Sequence, residues 1–142
     1  MKVVYDDGGR ADAGFRGYAG DCVVRAIAIA TQQPYRDVYD ALSHGMGSQR
    51  GKHKYRNHRS ARNGVTTKHK WFVDYMHSLG WHFTATMGIG TGCRVHLRDG
   101  ELLMGRIIAV ISKHYVAVID GVIHDNHDCA RGGTRCVYGY WS

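Results

Sequence analysis

The first apolar stretch with a clear period runs from Cys22 to Thr31. Cys22, Ala26 and Ala30 recur every fourth position with Val23 and Ile27 beside them, and this spacing predicts a helix over 22–31. Asp21, directly before it, is expected to be its N-cap. A second helix is predicted over Pro34–Leu42. Proline suits a first helical turn, where its missing N–H costs nothing. Tyr35, Val38, Tyr39 and Leu42 supply a buried stripe, and Gly45 and Gly47 are expected to end the helix. A third helix is predicted from a cap at Thr66 or Thr67 to a stop at Gly80, with Trp71, Phe72, Tyr75, Met76 and Leu79 facing inward.

After Gly80 the period shortens to that of strands. Trp81–Met87 alternates, Gly88–Gly92 reads as a turn, and Arg94–Leu97 is a short strand. Arg98–Leu103 reads as a turn or a single helical turn. Arg106–Ile111, His114–Ile119 and Val122–Asp125 are rich in Val and Ile, and Asp120-Gly121 is the strongest hairpin signal in the chain. Cys136–Tyr140 is expected to close the sheet, and Val3–Tyr5 is a short strand in an otherwise irregular, Gly- and Asp-rich lead-in. Helices first and strands afterwards argue for an α+β fold, with N-terminal helices packed on a C-terminal antiparallel sheet. A length of 142 residues suits one domain.

Charge changes the picture in one place. The net charge of +7 resembles a nucleic-acid signal, but Ala41–Val73 holds no acidic residue and eight basic ones, among them Lys68 and Lys70. The remaining eleven basic residues nearly balance the twelve acidic ones, so all of the excess lies in this segment. Ser43–Gly64 is almost free of aliphatic residues and is expected to be a long mobile loop. Arg50, Lys52, Lys54, Arg56, Arg59 and Arg62 are its candidate contacts to nucleic acid or an acidic partner. Only Tyr55 interleaves them, fewer rings than single-strand binders use.

No apolar run reaches the roughly 18–20 residues that cross a bilayer, and Met1–Arg10 has no apolar signal-peptide core. A reducing cytoplasm is the expected compartment, so Cys22, Cys93, Cys129 and Cys136 are expected to be free thiols. The glycines of Arg131–Thr134 would allow a Cys129–Cys136 bridge geometrically, but the compartment argues against it.

The chemistry centres on three residues. Cys22 opens an apolar helix, where the positive end of the dipole favours a thiolate. His114 starts a buried strand. About the Asp120-Gly121 turn, Val116 faces Asp125 and His114 faces His127, which puts Asp125 diagonal to His114. A carboxylate there would fix the imidazole tautomer and stabilise its charged form. Asn126 is the alternative third member. No metal or cofactor is expected: His124-Asp-Asn-His-Asp-Cys129 offers zinc-type ligands but no Cys-x-x-Cys or His-Glu-x-x-His pattern. Met87–Gly92 lacks the ending of a phosphate loop, and Trp71, Trp81 and Trp141 read as core or sheet-face residues.

The order Cys22, His114, Asp125 resembles that of papain-like cysteine peptidases. Asp21-Cys22 is similar to the Asp-Cys-Gly start of peptidases that process bacteriocin leaders, with Val23 in place of Gly. The segments GDCVVRAIAIAT and AVIDGVIHDNHDCARGGTRCVYGYW resemble a group of short, mostly uncharacterised phage and bacterial proteins. The resemblance implies a papain-like fold and a cysteine hydrolase acting on a peptide, isopeptide or related amide bond, in the host cytoplasm if phage-encoded. Papain-like enzymes carry a Gln before the cysteine to complete the oxyanion hole. Here Gln32, Gln33 and Gln49 all follow Cys22, and Arg16 occupies the approximate offset as the oxyanion candidate. The competing expectation is a non-catalytic, phage-type protein that uses the scaffold to display the basic loop to nucleic acid or an acidic host protein.

Overall fold

The structure, a computed structural model, describes residues 1–17, 19–49 and 60–142. Strand β1 (Val3–Tyr5) precedes helices α1 (Cys22–Thr31), α2 (Tyr35–Ser48) and α3 (Lys70–Ser78). Strands β2 (Phe83–Ala85), β3 (Arg106–Ile111), β4 (His114–Ile119), β5 (Val122–Asp125) and β6 (Gly139–Trp141) follow. They form one six-stranded sheet in the order β1-β5-β4-β3-β6-β2. The class is α+β. The sheet is mixed rather than purely antiparallel, because β1 returns from the lead-in to pair in parallel with β5. The other pairings are antiparallel.

Helix α1 lies across the sheet, and Val23 through Ala30 are all buried. Their small and β-branched side chains let the helix approach β4 closely. Val24 and Ile27 are fully enclosed, each contributing about 1.5–3 kcal/mol relative to exposure. Helices α2 and α3 complete this side through Val38, Leu42, Phe72 and Met76, packed with Ile108, Ala117 and Trp141 of the sheet. The opposite sheet face packs Ile107, Val116, Val118 and Ile123 against Leu97, Cys129 and Val137 from irregular segments.

Several expectations are corrected. Gly45 and Gly47 do not end α2, which continues to Ser48. Gly45 instead lies against the Trp71 ring, where an added Cβ would sit 2.1 Å from an indole carbon, so the glycine serves packing within the helix. Residues 43–48 of the expected basic loop are therefore helical, and Arg50, Lys52, Lys54, Arg56 and Arg59 lie outside the described residues. Trp81–Met87 forms a strand only at Phe83–Ala85, and Arg94–Leu97 contributes a single bridge, His96 to Cys136. That bridge brings Cys93 to Cys136, which are disulfide-bonded with Cα atoms 5.8 Å apart. Cys22 and Cys129 are free thiols. Among the described residues, no helix is long and apolar enough to cross a membrane.

Candidate active site

The β4–β5 hairpin turns at Asp120-Gly121, both at positive φ (49° and 78°), as a primed turn requires. Its register pairs Ala117 with His124, Val118 with Ile123 and Ile119 with Val122. Continuing that register sets Val116 opposite Asp125, so His114 and Asp125 share a face and sit diagonally. His114 Nε2 lies 2.6 Å from Asp125 Oδ2. The same imidazole acts on the thiol of Cys22 at the start of α1. The structure thus brings Cys22, His114 and Asp125 together.

Electrostatics follow from these contacts. Burial pushes the Cys22 thiol up, but hydrogen bonds from His114 and the Tyr115 backbone N–H, with the charges of His114 and Arg25, outweigh it and hold the thiol below its ordinary value. Burial pushes His114 down. Its hydrogen bonds to Asp125, Cys129 and Cys22, and the charge on Cys22, outweigh that and raise it to about 11. Asp125 is raised by burial but held below its ordinary value by His114, the Asn126 N–H and Arg25. At neutral pH His114 is therefore an imidazolium beside an ionised Asp125, and its charge favours the thiolate form of Cys22.

Asp125 is itself held from behind. The buried Arg25 reaches Asp125 Oδ1 with Nη2 at 3.3 Å and Asp21 with Nη1. Asp21 also accepts the Tyr35 hydroxyl at 2.5 Å and lies 3.3 Å from Arg10 Nε. Asp21 is therefore no side-chain N-cap. It is 2 % exposed and its oxygens are taken by Arg10, Arg25 and Tyr35, none of them on the helix-start N–H groups a cap would serve. Sequence reasoning missed Arg25. The available signal was a charge in the middle of an apolar helix, one turn after the cysteine. It also missed Cys129, buried against His114.

The other named residues fall elsewhere. Asn126 does not replace Asp125: it is exposed, and its Oδ1 pairs with His127 Nδ1 at 2.6 Å and receives Arg25 Nη2 at 3.4 Å. Arg16 is exposed, and its backbone carbonyl accepts from Arg10 and Arg62. Met87–Gly92 includes a turn closed by Thr91 on Gly88, and Met87 lies beside the disulfide. The donor atoms of His114, Asp125 and His127 lie within 4.8 Å of one another. A metal there would compete with two cations, the Arg25 guanidinium and a protonated His114, and metal ligation needs a neutral imidazole.

Comparison with known proteins gave no match: no family model, no curated protein and no solved structure matches this chain.

Proposed function

We propose that the protein is a cysteine hydrolase that cleaves a peptide, isopeptide or related amide bond on a papain-like scaffold. The observation that carries this is the 2.6 Å contact from His114 Nε2 to Asp125, with the Cys22 thiol on the same imidazole and held below its ordinary pKa. The Cys22 thiolate attacks the amide carbon, forming a C–S bond and an oxyanion. The Cys22 N–H, in the first turn of α1 and without an intrahelical acceptor, is the candidate oxyanion donor. The His114 imidazolium gives its proton to the nitrogen as the C–N bond breaks, leaving a thioester and a free amine. Neutral His114 then takes a proton from water, whose oxygen attacks the thioester, and Cys22 leaves as the thiolate. Asp125 keeps the imidazole oriented and charged in the first half of the cycle.

The test is the pH dependence of iodoacetamide alkylation at Cys22. The apparent pKa is expected well below the roughly 8.5 of a free thiol and is expected to rise in His114→Ala. At pH 6 the variant should react at least 10-fold more slowly. Ordinary thiol behaviour in both proteins would sink the proposal.

A further inference from the structure

Two hollows share Thr67 and Lys68 in their linings and so adjoin each other. The larger, about 750 Å³, is walled by Val73, Phe83, Val110, Tyr115, Tyr138 and Trp141. Tyr115 links it directly to the nucleophile: its backbone N–H donates to the Cys22 sulfur while its side chain lines the hollow. The smaller, about 550 Å³, runs along residues 63–69. Its Asn63 accepts a hydrogen bond from the Gly20 N–H at 3.1 Å, two residues before Cys22. Each hollow is thus tied to the chain around the cysteine, one through Tyr115 and the other through Asn63, and together they make a groove long enough for an extended chain.

The walls state what the larger hollow takes. Phe83 and Tyr138 are 46 % and 40 % exposed and line the same hollow, a contiguous apolar patch rather than scattered rings. Phe83 is held there by Gly139, where a Cβ would meet the Phe83 ring at 2.2 Å. The polar lining residues are Thr67, Lys68, His77 and His82, and neither hollow is lined by a carboxylate. Lys68, exposed where the two meet, is the fixed charge.

We infer that this groove is the substrate subsite of the proposed hydrolase, and that its substrate is an extended peptide with a large aromatic or aliphatic side chain near the scissile amide and a carboxylate beside it. The large side chain fills the larger hollow and the carboxylate meets Lys68. This rests on the cysteine-hydrolase assignment and adds the substrate class to it.

Peptidyl chloromethyl ketones test it, because the Cys22 thiolate displaces chloride to form a C–S bond and records how well the peptide is seated. Dipeptide reagents carrying Phe, Ala, Asp or Lys at either position next to the ketone would be compared with iodoacetamide on the full-length protein. Phe at one of the two positions is expected to react about 10- to 100-fold faster than Ala, the worth of burying one large apolar side chain. Phe83→Ala and Tyr138→Ala, both at exposed rings, should each cut that ratio at least 5-fold and leave the iodoacetamide rate unchanged. Asp should outpace Lys a few-fold, and Lys68→Glu should reverse that order. A Phe-to-Ala ratio near one at both positions, or a ratio indifferent to both ring variants, would overturn the subsite while leaving a reactive Cys22 standing. An unreactive Cys22 toward iodoacetamide would overturn the hydrolase assignment and the subsite with it.

Discussion

The two sides of His114 are built differently. On its carboxylate side, Asp125, Arg25 and Asp21 are 3 %, 5 % and 2 % exposed, and each carboxylate is shared by more than one donor. On its thiol side, Cys22 is half-buried and is contacted by Tyr115, which lines a hollow with the exposed rings Phe83 and Tyr138. The closed side fixes direction: Asp125 cannot rotate away from His114 without abandoning Arg25 and the Asn126 N–H. The open side leaves room for a substrate to supply the missing contacts. A site that must hold one tautomer but admit a variable chain needs this asymmetry.

The largest expected effect breaks the closed side. Arg25→Met leaves Asp21 and Asp125 with less positive charge in a buried setting, and removing one partner of a buried ionic network costs about 3–5 kcal/mol. Urea unfolding would measure it, and a loss under about 1 kcal/mol would make the network incidental to stability. Arg25→Lys keeps the charge but not the fork that spans Asp21 and Asp125. It should retain part of the stability and move the alkylation pH profile at Cys22 toward that of an ordinary thiol, a change that packing alone would not produce.

Next is a substitution on the open side. Gly→Ala inside a helix ordinarily stabilises by about 0.5–1 kcal/mol. Gly45→Ala should do the reverse, by about 1–3 kcal/mol, because the new methyl meets the Trp71 ring of α3. Helix α3 also carries Val73 into the groove wall. The variant should therefore slow reaction with aromatic peptidyl reagents more than with iodoacetamide, and should leave the apparent pKa of Cys22 unchanged. A pKa shift of the size seen in Arg25→Lys would show that the two sides are not independent.

The course of stability with pH sharpens the comparison further. His114 is raised from 6.5 to about 11, so its contribution is complete below 6.5 and is lost as pH climbs toward 11. Cys22 is lowered from 9.0, so its contribution is present above 9.0 and is lost as pH falls through its folded value. Below 9.0, wherever Cys22 is ionised in the folded chain and still protonated in the unfolded one, its slope opposes that of His114 and the profile should flatten. Asp125, lowered from 3.8, adds a loss only as pH falls below that value. In Cys22→Ala the compensation is gone, and urea midpoints should decline with pH across the same window. A flat profile in the variant would mean that Asp125 and Cys129 alone do not hold His114 above its ordinary value.

Local pattern carried much of this into the sequence. Helix α1 was legible to its end residues because its apolar positions are contiguous and Cys22 starts them. The three Val- and Ile-rich strands were legible with their bounds, and the Asp120-Gly121 turn set a register that placed Asp125 within reach of His114. What was not legible depends on partners distant in sequence. Cys93 and Cys136 are 43 residues apart and meet only through the His96 bridge. The role of Gly45 is set by Trp71, and that of Arg25 by an aspartate 100 positions later. Strand β1 joins the sheet through long-range pairing that three residues cannot announce by period.

The smallest expected effect concerns the basic segment. Arg62 and Asn63 anchor its far end, Arg62 on the Arg16 carbonyl at 3.2 Å and Asn63 on Gly20, so the backbone leading into Cys22 depends on residues after 59. Gln49, at its near end, accepts from Thr66 and from the Trp71 indole N–H and belongs to the α2–α3 packing. Replacing Arg50, Lys52, Lys54, Arg56 and Arg59 by Gln, while keeping Gln49, Arg62 and Asn63, removes five charges without touching either anchor. The groups that hold the Cys22 thiol down are His114, the Tyr115 N–H and Arg25, all retained in this variant, so the iodoacetamide rate should change less than about 2-fold. Loss of a salt-sensitive affinity for nucleic acid in the same variant, with Cys22 chemistry intact, would mean that the segment serves a second, separable role. A collapse of Cys22 reactivity would place those charges in the site's own electrostatics and end the division of the molecule into a closed and an open side.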